Sequence, residues 1–349
     1  MTENPDLTSK RKQEHIELCL TDKVAFINKT NGFEKYEFIH DAVTEVEIEK
    51  INLSTKFFSK KIDYPFIISC MTGGTGEAEN INSQLAEAAN QLNIVLGVGS
   101  QRQALENQQY HHSYKVIRER APGIPLLGNI GAAQVVLSKS LYEFQVLVDL
   151  VEADAFVVHL NPLQELLQPE GEIFFKGLRK KITKLVKALS VPVIIKEVGS
   201  GISYSSAKKM LECGVKGIDV SGAGGTSWAG VEILRQKTQS EKNHFWDWGL
   251  PTSYCINEVQ KLKKKYSFYL VGSGGISTAE ECAKAIALGA DMTASARPIL
   301  QALDKTGVDG VTSLIKSWFE DLKKIMFLTG SKSIKDFQKN KLIRREVLY

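Results

Sequence analysis

From Pro65 onward the chain repeats one texture: a short run of mainly apolar residues, then Gly or polar residues, then a stretch whose apolar positions recur at helical spacing. Parallel strands covered on both faces read as nearly unbroken hydrophobic runs of this kind. The runs are Pro65–Met71, Ile94–Val98, Pro125–Asn129, Ala155–His159, Pro192–Lys196, Gly217–Ser221, Phe268–Val271 and Asp291–Ser295. Eight strands alternating with helices over about 230 residues predict a (β/α)8 TIM barrel; a doubly wound sheet needs only six.

Outside the barrel the texture differs. Residues 1–64 carry alternating charges, with helix-like apolar spacing over Asp41–Ser54, and predict helices and loops packed on a barrel formed by residues 65–349. Gly222–Pro251 is a long loop after the sixth strand, contains Trp228, Trp246 and Trp248, and has the length of an active-site lid. Val311–Phe327 is amphipathic and predicts the last outer helix.

Composition narrows the class. Of 349 residues, 43% are hydrophobic and 24% charged, and no apolar run reaches the length of a membrane span. The first fourteen residues lack an export signal, and five scattered cysteines without a C-x-x-C pair are expected as reduced thiols, so a cytoplasmic location is expected. A net charge of +4, with both signs interleaved, argues against a nucleic-acid partner and leaves a basic pocket for a small anion open.

Candidate chemistry lies at strand ends. The carboxyl end of a barrel strand faces the active site, where polar groups meet a ligand without being buried unpaired. After Ala155–Val158 come His159, Asn161, Gln164 and Glu165. The turns Met71-Thr72-Gly73-Gly74, Gly99-Ser100-Gln101-Arg102 and Gly128-Asn129-Ile130-Gly131 are either tight turns or places where a flat ligand approaches the backbone. Lys196 is either the counter-charge for an anion or half of a buried ion pair, with Glu197 on the opposite face of its strand. After the seventh strand, Gly274-Gly275 fits a phosphate turn, while Ser277 and Glu280 have capping-box spacing that would satisfy the same N–H groups internally. Ala296-Arg297 supplies a guanidinium nearby.

Together with Arg11-Lys12-Gln13-Glu14-His15, Ser221-Gly222-Ala223-Gly224-Gly225-Thr226-Ser227-Trp228 and Met326-Phe327-Leu328-Thr329-Gly330, these segments resemble the type 2 isopentenyl-diphosphate isomerases, flavoproteins on an FMN-binding barrel. The resemblance implies interconversion of isopentenyl and dimethylallyl diphosphate with reduced FMN, Mg2+ and NADPH as activating reductant, in a homo-oligomer, tetramer or octamer. It implies that Met71, Thr72, Gly73, Ser100, Asn129, Lys196, Ser221 and Thr226 hold FMN, with its phosphate near Gly274, Gly275, Ala296 and Arg297. Arg11, Lys12, Arg102, His159 and Asn161 would bind the diphosphate, Glu165 the magnesium, and Gln164 would sit at the isoprene carbons. His159 and Gln164 are the expected catalytic pair. The family's glycine turn usually continues with Arg where Ser277 stands here, which leaves Arg297 as the substitute.

Two other readings compete. An FMN-dependent 2-hydroxy-acid oxidoreductase would place a His base and an Arg in the turn after the sixth strand, where this chain has Gly222-Ala223-Gly224-Gly225-Thr226. A non-catalytic barrel binding a phosphorylated metabolite would need the anion site but neither Gln164 nor Glu165.

Overall fold

The computed structural model describes residues 5–74, 76–236, 244–339 and 341–348. Eight parallel strands close into a barrel in sequence order: β1 Phe66–Ile68, β2 Val95–Gly97, β3 Leu126–Gly131, β4 Ala155–Leu160, β5 Val193–Glu197, β6 Gly217–Asp219, β7 Tyr269–Ser273 and β8 Met292–Ser295. All eight predicted strands are present, because burial on both faces leaves no choice but apolar runs.

Strand alternation divides each run between two cores. Ile67, Val95, Leu127, Val157, Ile194, Val271 and Met292 fill the barrel interior, while neighbours such as Phe66, Ile68, Val158 and Ile195 pack outward beneath the helices. Two residues beyond an inward apolar residue lies the next inward position, so Leu127, Val157, Ile194 and Val271 are followed by Asn129, His159, Lys196 and Ser273. The same period that builds the core thus sets a polar layer at the carboxyl ends of the strands.

The opposite mouth is closed by a hairpin, Thr55–Phe57 paired with Lys60–Ile62, whose Phe57 and Ile62 join the interior cluster. This hairpin, and the strand Tyr36–Phe38 paired antiparallel with Leu342–Arg344, replace part of the helices and loops expected for residues 1–64. Over Asp41–Ser54 the expected helix is a single short 3-10 turn, Ile48–Lys50. Its apolar residues serve an extended chain instead: Val46, Ile51 and Leu53 are buried on the outer core while Val43 is 81% exposed. The one long helix of this region is Pro5–Cys19.

Two further expectations change in detail. Within Gly222–Pro251 the structure contains a helix, Trp228–Arg235, and residues 237–243 of the expected lid lie outside the described residues. The described ends of that segment are tied down: Ser227 Oγ donates to the Trp246 carbonyl at 2.6 Å, and the Trp246 indole donates to the Ala25 carbonyl at 2.9 Å. The last long helix is the second part of Arg297–Leu328, which non-helical Thr306 and Gly307 divide in two; that part carries the expected Val311–Phe327, and a short helix, Ile334–Phe337, follows. No helix among the described residues is long and apolar enough to cross a membrane.

Candidate active site

A cavity of about 310 Å³ opens at the carboxyl ends of the strands, within the size range of small-molecule sites. Met71, Thr72, Gly73, Ser100, Asn129, Lys196, Ser221 and Thr226 line it, as do Gly274, Gly275, Ala296 and Arg297. Arg11, Lys12, Arg102, His159, Asn161, Gln164 and Glu165 line the same cavity. Residues from Arg11 to Arg297 therefore meet in one place.

The polar layer is cross-braced. His159 and Lys196 are register partners across β4 and β5. Asn129 donates to the Val98 carbonyl at 3.2 Å, so its amide oxygen accepts from His159 Nδ1 at 2.9 Å. Burial, then the charge of Lys196, pushes His159 down to about 4, which leaves a neutral ring with Nε2 as its free acceptor. Lys196 donates to Asp219 at 2.8 Å, so the ion-pair alternative raised by its sequence holds. Glu197 leaves the other face of β5 and accepts three backbone N–H groups, from Val198 (2.6 Å), Gly199 (2.8 Å) and Ser200 (2.6 Å), which folds the next turn along the cavity wall. Burial pushes Glu197 up to about 7 while those donors pull it back.

After β4 the chain forms a short helix, Pro162–Leu167, fixed by its own amides. Asn161 Nδ2 donates to Glu165 Oε1 at 2.9 Å and to Gln164 Oε1 at 3.2 Å, and the backbone N–H of Glu172 donates to Glu165 Oε2 at 2.6 Å. Burial raises Glu165 above the ordinary carboxylate range, against these donors. Each of its oxygens still keeps a lone pair for a further partner. Glu172 also accepts from Arg102 at 3.2 Å and from Gln134 at 2.6 Å, and so holds the guanidinium at the rim.

The N-terminal helix forms one wall. Lys12 donates to the Gly73 carbonyl, and burial with the neighbouring Arg11 lowers its ammonium to about 7. His15 donates from Nε2 to Glu232 Oε1 at 3.0 Å and meets the Trp228 ring edge-on at 5.0 Å. Arg235 ties the same two elements, pairing with Glu232 at 2.6 Å and with Glu14 at 3.0 Å. Burial pushes Glu232 up, but His15 and Arg235 outweigh it and hold the carboxyl below its ordinary range.

The turns after β6 and β7 lean backbone to backbone. Gly274 has φ +104°, and a Cβ there would stand 2.1 Å from the Gly222 carbonyl oxygen, so glycine is required. Ser221, at the end of β6, holds φ +35°, a strained conformation for a residue with a side chain. The capping box is shifted by one residue from the expected Ser277 and Glu280: Thr278 caps Ala279–Ala287 with Glu281. Ser277 gives both its N–H and its hydroxyl to Glu281, at 2.7 and 2.8 Å, and Glu280 pairs with Lys284. Which hydroxyl caps depends on how the chain leaves Gly275, which residue spacing does not encode. The buried Nη1 of Arg297 has no protein partner.

Sequence reasoning passed over Asp219, Ser273, His15 and Glu232. A lone acid inside the apolar run Gly217-Ile218-Asp219-Val220 was the available signal for the first. Among the described residues, no cluster of three or more His, Cys, Asp or Glu side chains is arranged to hold a metal.

Comparison with known proteins gives a consistent picture. The family model for FMN-dependent dehydrogenase matches residues 6–114 and 169–344. The isopentenyl-diphosphate delta-isomerase of Pelodictyon phaeoclathratiforme is 43% identical over 352 residues, covering 97% of this chain and 98% of that protein. The enzyme of that name from Nostoc sp. is 41% identical over 97% of this chain and 96% of its own. Among solved structures, a putative lactate oxidase of Pediococcus acidilactici has a TM-score of 0.68 at 16% identity, covering 99% of this chain and 95% of that one. A flavocytochrome b2 variant with pyruvate bound has a TM-score of 0.69 at 20% identity, covering 96% of this chain and 82% of that one. At such identities the structures establish the barrel fold alone, whereas the full-length sequence matches go further: the chain belongs to the FMN-dependent dehydrogenase family and, within it, to the type 2 isopentenyl-diphosphate delta-isomerases.

Proposed function

We propose that this chain interconverts isopentenyl and dimethylallyl diphosphate by adding and removing a proton at the isoprene carbons, using reduced FMN and Mg2+, with NADPH as activating reductant. The observation that carries the reading is the meeting of three groups in one cavity: the cations Arg11, Lys12 and Arg102, the loop Asn161–Glu165, and the strand-end layer Asn129, His159 and Lys196.

The residues present fit FMN. Thr72 Oγ1 and Arg297 Nη1 are buried at the cavity wall without a protein partner, and a buried orphan donor is costly unless a ligand meets it. In this reading Arg297 and the Gly274-Gly275 turn hold the phosphate, while Met71, Thr72, Gly73, Ser100, Asn129, Lys196, Ser221 and Thr226 border the ring and ribityl chain. Bound and reduced, FMN supplies a nitrogen that gives and takes the substrate's proton.

The chain's own residues do the rest. Arg11, Lys12 and Arg102 neutralise the diphosphate. His159, neutral in the free site, meets a phosphate oxygen through Nε2, and the anion there favours its protonation. Asn161 borders the same cavity, and its buried Oδ1, an acceptor without a protein partner, would meet the diphosphate through a bridging water. Glu165 contributes one carboxylate to Mg2+, with phosphate oxygens and waters completing the oxygen shell magnesium requires. Gln164, a weak base held at both ends of its amide, orients the isoprene carbons and assists the proton.

The hydroxy-acid reading lacks its base in the turn after β6, since Gly222–Thr226 has neither His nor Arg. A homo-oligomer, tetramer or octamer, belongs to the proposal and is measured by sedimentation velocity. The deciding experiment is the absorption spectrum of purified protein, followed by an isomerase assay under argon with and without reductant. A flavin spectrum with isomerisation only after reduction supports the reading; a colourless protein, or oxidation of 2-hydroxy acids, overturns it.

A further inference from the structure

We propose that Asp219 is a positioning residue of the flavin site: it holds Lys196 as an ammonium and aims it into the cavity. This rests on the reading above that the flavin ring borders Lys196, and goes beyond it by assigning the acid behind that lysine.

Three consecutive strands build the device. Lys196 and Asp219 are register partners across β5 and β6, and Nζ stands 2.8 Å from Asp219 Oδ2. The other oxygen, Oδ1, accepts the Ser273 hydroxyl from β7, and that hydroxyl lies 3.5 Å from the same Nζ. All three residues are buried. With both carboxylate oxygens committed on strands that cannot slide independently, the acid has one orientation.

Lys196 and Ser273 border the cavity, but Asp219 is not among the residues that do. The acid therefore stands behind the ammonium. An ammonium carries three N–H donors, and this one spends one well at 2.8 Å and one weakly at 3.5 Å. It keeps donor capacity on the side where a ligand lies. Burial disfavours the charged form of an amine, and a carboxylate in contact restores it. Asp219 thus stands as the counter-charge directly behind the buried ammonium.

Of the groups closest to the pair, two do not titrate in mildly alkaline solution. His159, from β4, is held at about 4, and the Cys70 thiol, after β1, is pushed up to about 12 by burial. Glu197 leaves the opposite face of β5, at about 7 and bound to three backbone N–H groups, and it is common to every variant below.

The consequence is a proton count. Two-electron reduction of a bound FMN would bring one proton and leave one negative charge on the ring. With Lys196 already charged, no second proton is needed. With Asp219 replaced by Asn, reduction should take up a second proton, two protons for two electrons.

The test is a reductive titration of FMN-loaded protein with dithionite and mediator dyes, without substrate, between about pH 7.5 and 9. A tenfold change in proton activity is worth about 30 mV for each proton in a two-electron couple. The parent should follow that slope, Asp219→Asn should double it, and Asp219→Glu should return toward the parent. A folded, flavin-bound Asp219→Asn with the parent slope overturns the proposal. Should that variant not fold, Lys196→Met and Lys196→Met with Asp219→Asn decide: an acid that acts only through Lys196 leaves the two with one slope, and a difference overturns the proposal. Lys196→Met with the parent's potential and slope would instead refute the placement of the ring beside Lys196, which separates failure of the underlying reading from failure of Asp219.

Discussion

Gln164 is held at both ends of its amide: Nε2 donates to Glu232 Oε1 at 3.2 Å, and Oε1 accepts from Asn161 at 3.2 Å. The same Glu232 oxygen accepts from His15 at 3.0 Å, so a buried carboxylate links the amide at the cavity to a histidine on the N-terminal helix. An amide by itself is a feeble acid or base. One bonded to a carboxylate–histidine pair has its orientation fixed by charge-assisted bonds.

Gln164→Leu should therefore retain flavin and diphosphate affinity and lose turnover. Acid or base assistance is worth roughly 10²- to 10⁴-fold, about 3 to 5 kcal/mol of barrier. Single-turnover rates of pre-reduced protein at saturating isopentenyl diphosphate measure it. A rate within a few-fold of the parent removes Gln164 from the proton path and leaves the flavin as its only carrier.

How much of this was legible in the sequence follows from which interactions are local. The strands could be read because inward residues such as Val157 and Ile194 and their outward neighbours Val158 and Ile195 are all buried, which forces an apolar run. His159 and Lys196 could be read as inward polar residues because each ends such a run. Asp219 stands out only as a lone acid in an apolar run, because its meaning lies in its register with Lys196, which no spacing within either strand encodes. His15 and Glu232 are joined only after the first helix folds across the barrel mouth. The pairing of Tyr36–Phe38 with Leu342–Arg344 joins opposite ends of the chain, beyond the reach of any local pattern.

The barrel floor gives a prediction independent of the chemistry. Phe57 is almost fully buried, and it caps the interior cluster of Ile67, Val95 and Val271. Phe57→Ala should cost about 3 to 5 kcal/mol through lost burial and the cavity left behind. Denaturant unfolding measures it, and a loss under about 1 kcal/mol would mean that the hairpin does not support the barrel.

Lys12 should make diphosphate affinity depend on pH. Burial and Arg11 lower its ammonium from the usual lysine range to about 7, so the free protein carries this charge below neutrality and loses it as pH rises. Affinity for the diphosphate should fall as pH rises above about 7. Lys12→Met should bind more weakly below pH 7 and lose that dependence. His159, already neutral above about 4, contributes no such limb in the free protein. Isothermal titration at several pH values reads both curves, and parallel curves for parent and variant would exclude Lys12 as their source.

Redox state supplies the next outcome. The isomerisation moves a double bond without net electron transfer, so the reductant should be needed once to activate the flavin and not once per product. Anaerobic assays that follow NADPH absorbance and product together check this. One NADPH consumed per dimethylallyl diphosphate formed would place the chemistry with the oxidoreductases of the same fold.

Glu165 separates magnesium from flavin. Its oxygens accept from Asn161 at 2.9 Å and from the Glu172 backbone at 2.6 Å, so the carboxylate is held in place before any metal arrives. Burial raises its carboxyl, which is a cost of standing ready, and a divalent cation reverses that cost because it favours the ionised form. Glu165→Gln keeps the size and removes the charge. Magnesium binding should then weaken, leaving the diphosphate short of positive charge, and activity should become undetectable at ordinary magnesium concentrations. The flavin should stay bound with an unchanged spectrum, since Glu165 belongs to the short helix after β4 and Arg297, proposed for the FMN phosphate, to the start of the helix after β8. A magnesium titration of pre-reduced variant distinguishes two causes of failure: partial rescue at high magnesium identifies a weakened metal site, whereas a flat line with lost substrate affinity identifies a collapsed loop. Full activity at ordinary magnesium would remove Glu165 from the metal site altogether.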